Sequence, residues 1–122
     1  MRFILMARAD EHSEAGAFPS PEVMADMGAF MQEITQAGVL LSAEGLQPSS
    51  AGARLTLSKG TLTVTDGPFA ETKEMISSYA IVEVASKAEA IEWAARWAKL
   101  FGEMECEIRP LFDAPPPSTS SS

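Results

Sequence analysis

The chain has 122 residues, 46% of them hydrophobic, with 17 acidic against 9 basic side chains and a formal net charge of −8. That length holds one domain around a single core, and that composition excludes a disordered polymer. The charge repels nucleic-acid and anionic-lipid phosphates, so neither nucleic acid nor a membrane surface is an expected partner.

In chain order, residues 2–8 (Arg-Phe-Ile-Leu-Met-Ala-Arg) read as a buried strand. The apolar run inside it ends at Ala7 and Arg8, too short for a signal peptide. No run approaches the ~20 residues that span a bilayer. Together with a single cysteine, Cys106, which has no intramolecular partner and fills a strand position, this predicts a cytoplasmic protein.

Ser20-Pro21-Glu22 carries a capping hydroxyl, a first-turn proline and a dipole-compensating acid, and so opens a helix. Val23, Met24, Met27, Phe30, Met31 and Ile34 follow at helical spacing, the methionines as core, and Gly38 ends the helix. A strand runs from Val39 toward Leu46, and 47–52 is loop. Residues 54–57 and 62–65 then alternate about Ser58-Lys59-Gly60-Thr61 as a hairpin. Residues 79–84 form the next strand.

Ser86-Lys87-Ala88-Glu89 is a capping-box pattern at the start of a second helix. Ala90, Ile91, Trp93, Ala94, Trp97, Ala98 and Phe101 fall within an arc of about 160°, with the two tryptophans as packing anchors. Residues 105–112 are the last strand. The Pro/Ser-rich tail 114–122 is too poor in apolar residues to fold, which leaves one domain over 1–113.

The class is α+β, in the order β-α-β-(hairpin)-β-α-β. Without the hairpin this is the split arrangement of ferredoxin-like domains. Helices then cover one face of the sheet, and a second copy of the chain is the simplest cover for the other. Alternation puts Ala80, Val82 and Val84 under the helices, with Cys106 and Ile108 opposite Glu105, Glu107 and Arg109. The open face, with Glu83, Glu107 and Arg109, is mixed.

Three segments carry a family resemblance: Ala43-Glu44-Gly45-Leu46-Gln47-Pro48, Val64 to Glu74 with Asp66-Gly67-Pro68-Phe69 at its centre, and Glu107 to Leu111. With these, nearly all of the chain but the tail resembles the DGPF branch of the YCII-related proteins. The resemblance implies a ferredoxin-like fold that dimerises sheet against sheet into an α/β barrel. It also implies genomic association with alternative sigma factors, and relatives that include a lactone-processing dehydrochlorinase. The wider family carries a His–Asp pair proposed as catalytic. Here the His position falls at about Met27 and the Asp position at about Gln36, and neither side chain does acid–base work. His12 lies in a polar surface segment. One His and one Cys leave only all-oxygen chemistry for a metal, and no cofactor is implied.

The remaining candidates are polar. Asp66, Glu71 and Lys73 are the catalytic candidates, since clustered carboxylates raise one another's pKa and a lysine among them binds an anion. Glu44, Gly45, Gly67, Pro68, Phe69, Glu74 and Ser78 are the ligand-binding candidates around them. Gly67 and Pro68 also break the strand, and the Asp66 side chain is placed to cap the backbone that follows. The charge run at 71–74 reads equally as a solvated turn. The resulting expectation is a homodimeric small-molecule-binding protein acting by acid–base chemistry on an organic acid or lactone. The alternative is a non-enzymatic regulatory module linked to a sigma factor.

Overall fold

A computed structural model describes residues 1–113, apart from the Lys73 side chain. The tail expected over 114–122 lies outside the described residues. Strand β1 (Arg2–Arg8) buries Phe3, Leu5 and Ala7 on one face and leaves Ile4, Met6 and Arg8 half-buried on the other, the two-residue period of a strand. One helical turn, α1 (Glu11–Glu14), occupies the polar stretch after it, because Asp10 and Ser13 exchange capping hydrogen bonds.

Helix α2 (Pro21–Gln36) begins where its residues dictate, with the Ser20 hydroxyl accepting from the Val23 N–H at 3.2 Å. Strand β2 (Leu40–Gly45) leads through a short 3₁₀ turn at Ser49–Ala51 into β3 (Ala53–Ser58) and β4 (Thr61–Asp66). Lys59 and Gly60 join these two strands with φ of 49° and 80°, the paired positive values of a two-residue hairpin turn.

Strand β5 (Ile76–Glu83) starts three residues earlier than the sequence pattern predicts. Helix α3 (Lys87–Phe101) carries the expected cap, with one change. The Ser86 hydroxyl accepts from the Glu89 N–H, but the Glu89 carboxylate accepts from Ala85, at 2.8 Å, instead of from Ser86. Strand β6 (Cys106–Pro110) closes the order.

The fold is mixed α+β with antiparallel sheets. The main sheet runs β2-β5-β1-β6, every pair antiparallel, and the β3–β4 hairpin forms a separate two-stranded sheet. Helices α2 and α3 cover one face, where Phe3, Leu5, Phe30, Ile34, Val82, Val84, Ala90 and Ala94 make one buried cluster. Register aligns two rows on that face, Ala43–Ala80–Leu5–Ile108 and Gly45–Ser78–Ala7–Cys106, with small residues at the β2–β5 end of the first and throughout the second. On the opposite face Glu107 pairs with Arg8 at 2.7 Å and Arg109 at 3.3 Å, beside half-buried Ile4, Met6, Tyr79 and Ile81.

The hairpin is apolar on one side. Leu55 pairs with Val64 and Leu57 with Leu62, so all four project together, and each is more than half exposed. A two-stranded hairpin on its own is marginal in water.

Candidate functional site

Helix α2 places Met27, Phe30, Met31 and Ile34 at spacings of three, one and three, and α3 places Trp93, Trp97 and Phe101 at spacings of four. Both stripes face the sheet. The floor beneath them is made of Ala43, Gly45, Ser78 and Ala80, whose side chains are too short to reach the helices. Long walls over a short floor leave a cavity of about 250 Å³, also bordered by Leu5 and Leu40.

Glu44 and Tyr79 border it as well, but they sit between floor residues, so strand alternation turns their side chains to the other face of the sheet. The side chains facing the cavity are thus apolar except for the Ser78 hydroxyl. Among the described residues that hydroxyl has no hydrogen-bond partner.

The walls are braced from outside. Phe30 and Trp93 pack tilted with centroids 6.0 Å apart, and the Arg96 guanidinium lies 5.2 Å and 5.1 Å from their ring centres. Arg96 also grips both oxygens of Glu33, tying α3 to α2. These hydrogen bonds hold the Glu33 carboxyl below the usual carboxylate range. A lowered folded-state pKa stabilises above the ordinary value and is lost as pH falls through the lowered one. In an NMR titration Glu33 is expected to protonate below the ordinary glutamate value of about 4.3, and to return to it in Arg96→Ala. Equal titration in both proteins would remove the brace.

Asp66, Glu71 and Glu44 lie on separate elements. Asp66 is exposed at the end of β4, Glu71 is exposed at the entry to a 3₁₀ turn (Thr72–Glu74), and Glu44 lies in β2. Glu71 borders a shallow groove with Asp10, Glu11 and Thr72, which neither Asp66 nor Glu44 borders. Glu74 is exposed in the same turn. Lys73 belongs to that turn, its side chain outside what is described.

Asp-Gly-Pro-Phe has a structural task. The Ser49 hydroxyl accepts from the Phe69 N–H at 3.1 Å and donates to the Glu14 carboxylate, which also accepts the Ser49 N–H at 2.9 Å. Gly67 donates to the Gly52 carbonyl at 3.0 Å and lies so close to Ser49 that a Cβ on it would stand 1.8 Å from the Ser49 carbonyl oxygen. Pro68 follows across a cis peptide bond, and Arg54 stacks 4.2 Å from the Phe69 ring centre. The expected Asp66 cap is not found among the described residues, because Ser49 and Gly52 already hold this backbone.

Around the cavity, the bulky helical residues are those that sequence reading assigned to packing, whereas Glu44, Gly45 and Ser78 are among its ligand-binding candidates. Met31, Trp93 and Trp97 do pack against the core, yet each also borders the cavity, as does half-buried Met27. The available signal was the floor, where small residues fall on one strand face opposite bulky helical stripes.

The sequence model of the YCII-related domain matches residues 1–111. The chain belongs to the YCII-related family. An uncharacterized protein of Rhizobium meliloti (strain 1021) is 40% identical over 72 residues, which cover 59% of this chain and 58% of that protein. The chain therefore matches less than two thirds of that relative's length. Among solved structures, the 5-chloro-2-hydroxyhydroquinone dehydrochlorinase of Burkholderia phenoliruptrix AC1100, in complex with 2,5-dihydroxybenzoquinone, aligns with a TM-score of 0.40 at 16% identity. That alignment covers 88% of this chain and 91% of the other.

In this YCII-related chain Met27, at about the position where the resemblance would put a histidine, is on the cavity wall and presents a thioether there. Gln36 is exposed at the end of α2. Among the described residues no group of three or more His, Cys, Asp or Glu is arranged to hold a metal ion, and no helix is long and apolar enough to cross a membrane. Burial pushes the Cys106 thiol up, which keeps it protonated at neutral pH.

Proposed function

We propose that this YCII-related chain is a cytoplasmic, homodimeric, ferredoxin-like protein that binds a small molecule in the cavity between α2, α3 and the sheet. The cavity carries the reading. Its volume lies between a site that holds one benzene, about 150 Å³, and a drug-sized pocket of at least about 300 Å³. Small floor residues under the bulky stripes of α2 and α3 maintain it, and Arg96 braces its walls.

Two surfaces support the dimer, the open sheet face with Ile4, Met6 and Ile81 and the apolar side of the hairpin. A second copy laid sheet against sheet, as a barrel, covers the first of these. The strand order supports the ferredoxin-like assignment. Acid–base turnover by Asp66, Glu71 and Lys73 has less support, because no cavity gathers Asp66 with Glu71. Binding therefore takes precedence over catalysis.

Both tryptophans of the chain line the cavity, so intrinsic emission reports on its occupancy directly. A fragment set of one- and two-ring compounds is expected to include members that shift or quench this emission saturably. The unliganded protein should elute with a mass near twice 13.0 kDa by light scattering. An emission spectrum indifferent to every fragment sinks the binding site, and a monomeric mass sinks the dimer.

A further inference from the structure

We infer that the cavity selects an uncharged ligand, with an apolar or aromatic body and one hydrogen-bonding end that Ser78 anchors; the inference rests on the binding role proposed above. Among the described residues no cationic side chain lines the cavity, and Glu44, the charged residue on its border, turns away from it by strand alternation. A carboxylate taken into such a space gives up its hydration and finds no counter-charge, a cost far larger than one hydrogen bond returns.

The surroundings beyond the floor reinforce this exclusion. Ser78 and Phe101 also line a second, polar groove at the end of the sheet, so these two residues stand between apolar and polar spaces. Asp10, Glu103 and Glu105 border that groove. Its cation, Arg8, is engaged by Glu107 at 2.7 Å and Glu105 at 3.6 Å. An anionic head extended past Ser78 thus meets carboxylates and an arginine already engaged by Glu105 and Glu107.

What is left for a ligand is the Ser78 hydroxyl, able both to donate and to accept. An amide, a lactone or ketone carbonyl, or an alcohol suits it. Organic acids, one of the two substrate types expected from sequence, are disfavoured as anions.

Three near-isosteric probes separate the possibilities: 2-phenylacetamide, phenylacetate and 2-phenylethylamine, titrated against the full-length protein at pH 7 by tryptophan emission and calorimetry. Toluene serves as the apolar reference. Phenylacetamide is expected to bind at least tenfold more tightly than phenylacetate. Ser78→Ala should weaken phenylacetamide severalfold while leaving toluene unchanged, and Ser78→Thr should restore much of the loss.

If toluene and all three probes fail to bind, the binding site itself is wrong. Toluene binding with phenylacetate equal to or tighter than the amide overturns charge selection while leaving the site intact. Tighter binding of the amine than of the amide overturns the Ser78 anchor, since its head would then be reading the acidic groove. An unchanged amide affinity in Ser78→Ala does the same. Toluene affinity doubles as the folding control for both serine variants.

Discussion

Gly67→Ala is expected to destabilise the protein by about 3 kcal/mol, the upper part of the range for forcing an extra carbon into packed space. The added Cβ would stand 1.8 Å from the Ser49 carbonyl oxygen and 2.6 Å from its carbonyl carbon, both backbone atoms that no side-chain rotation can move aside. To make room, the 3₁₀ turn or the strand end must shift. Either shift threatens the bonds from Phe69 to Ser49 and from Gly67 to Gly52. Gly52→Ala is the matched control, because its Cβ would meet only Ser49 oxygen, at an ordinary 3.7 Å. Urea unfolding of both variants decides the matter. If Gly67→Ala unfolds at the midpoint of Gly52→Ala, the close approach is not what the glycine is for.

The second large effect is expected at Phe30. Its ring is buried, packs tilted against Trp93, carries Arg96 on its outer side and forms part of the cavity wall. Phe30→Ala removes this support from both helices and is expected to cost about 3–5 kcal/mol. That is a large share of the roughly 5–15 kcal/mol by which a domain of this kind is stable. Water admitted beside Trp93 should move its emission to longer wavelength before any unfolding. Phe30→Leu keeps most of the volume and should lose much less. A loss below about 1 kcal/mol for the alanine variant would mean that α2 and α3 are held together elsewhere.

Element order was legible because each element announces itself locally. Ser20-Pro21 and Ser86 start the two long helices, their stripes have helical period, and alternation in 80–84 sorted the faces of the sheet correctly. The first helical turn, Glu11–Glu14, was not legible as such, since four polar residues have no periodicity and only the Asp10–Ser13 exchange orders them. The site was harder to read for a different reason. Charge density drew attention to Asp66, Glu71, Lys73 and Glu74, but exposed carboxylates in turns satisfy themselves in water. Ser78 was legible as a candidate hydroxyl just ahead of the strand expected over 79–84, although its value depends on which residues stand across from it.

The DGPF segment illustrates the division. From sequence alone, Gly67 and Pro68 mark a break between strands. That Gly67 packs against Ser49, eighteen residues earlier in the hairpin's own base, follows only from the folded chain. The same holds for the cavity. Sequence by itself determined the helices, strands, charge and family pattern, because these depend on local periodicity and residue type. Tertiary structure decided where space remains, because emptiness arises from register. Ala43 had to fall beside Ala80, and Gly45 beside Ser78, under two helices whose bulky side chains leave space above so short a floor.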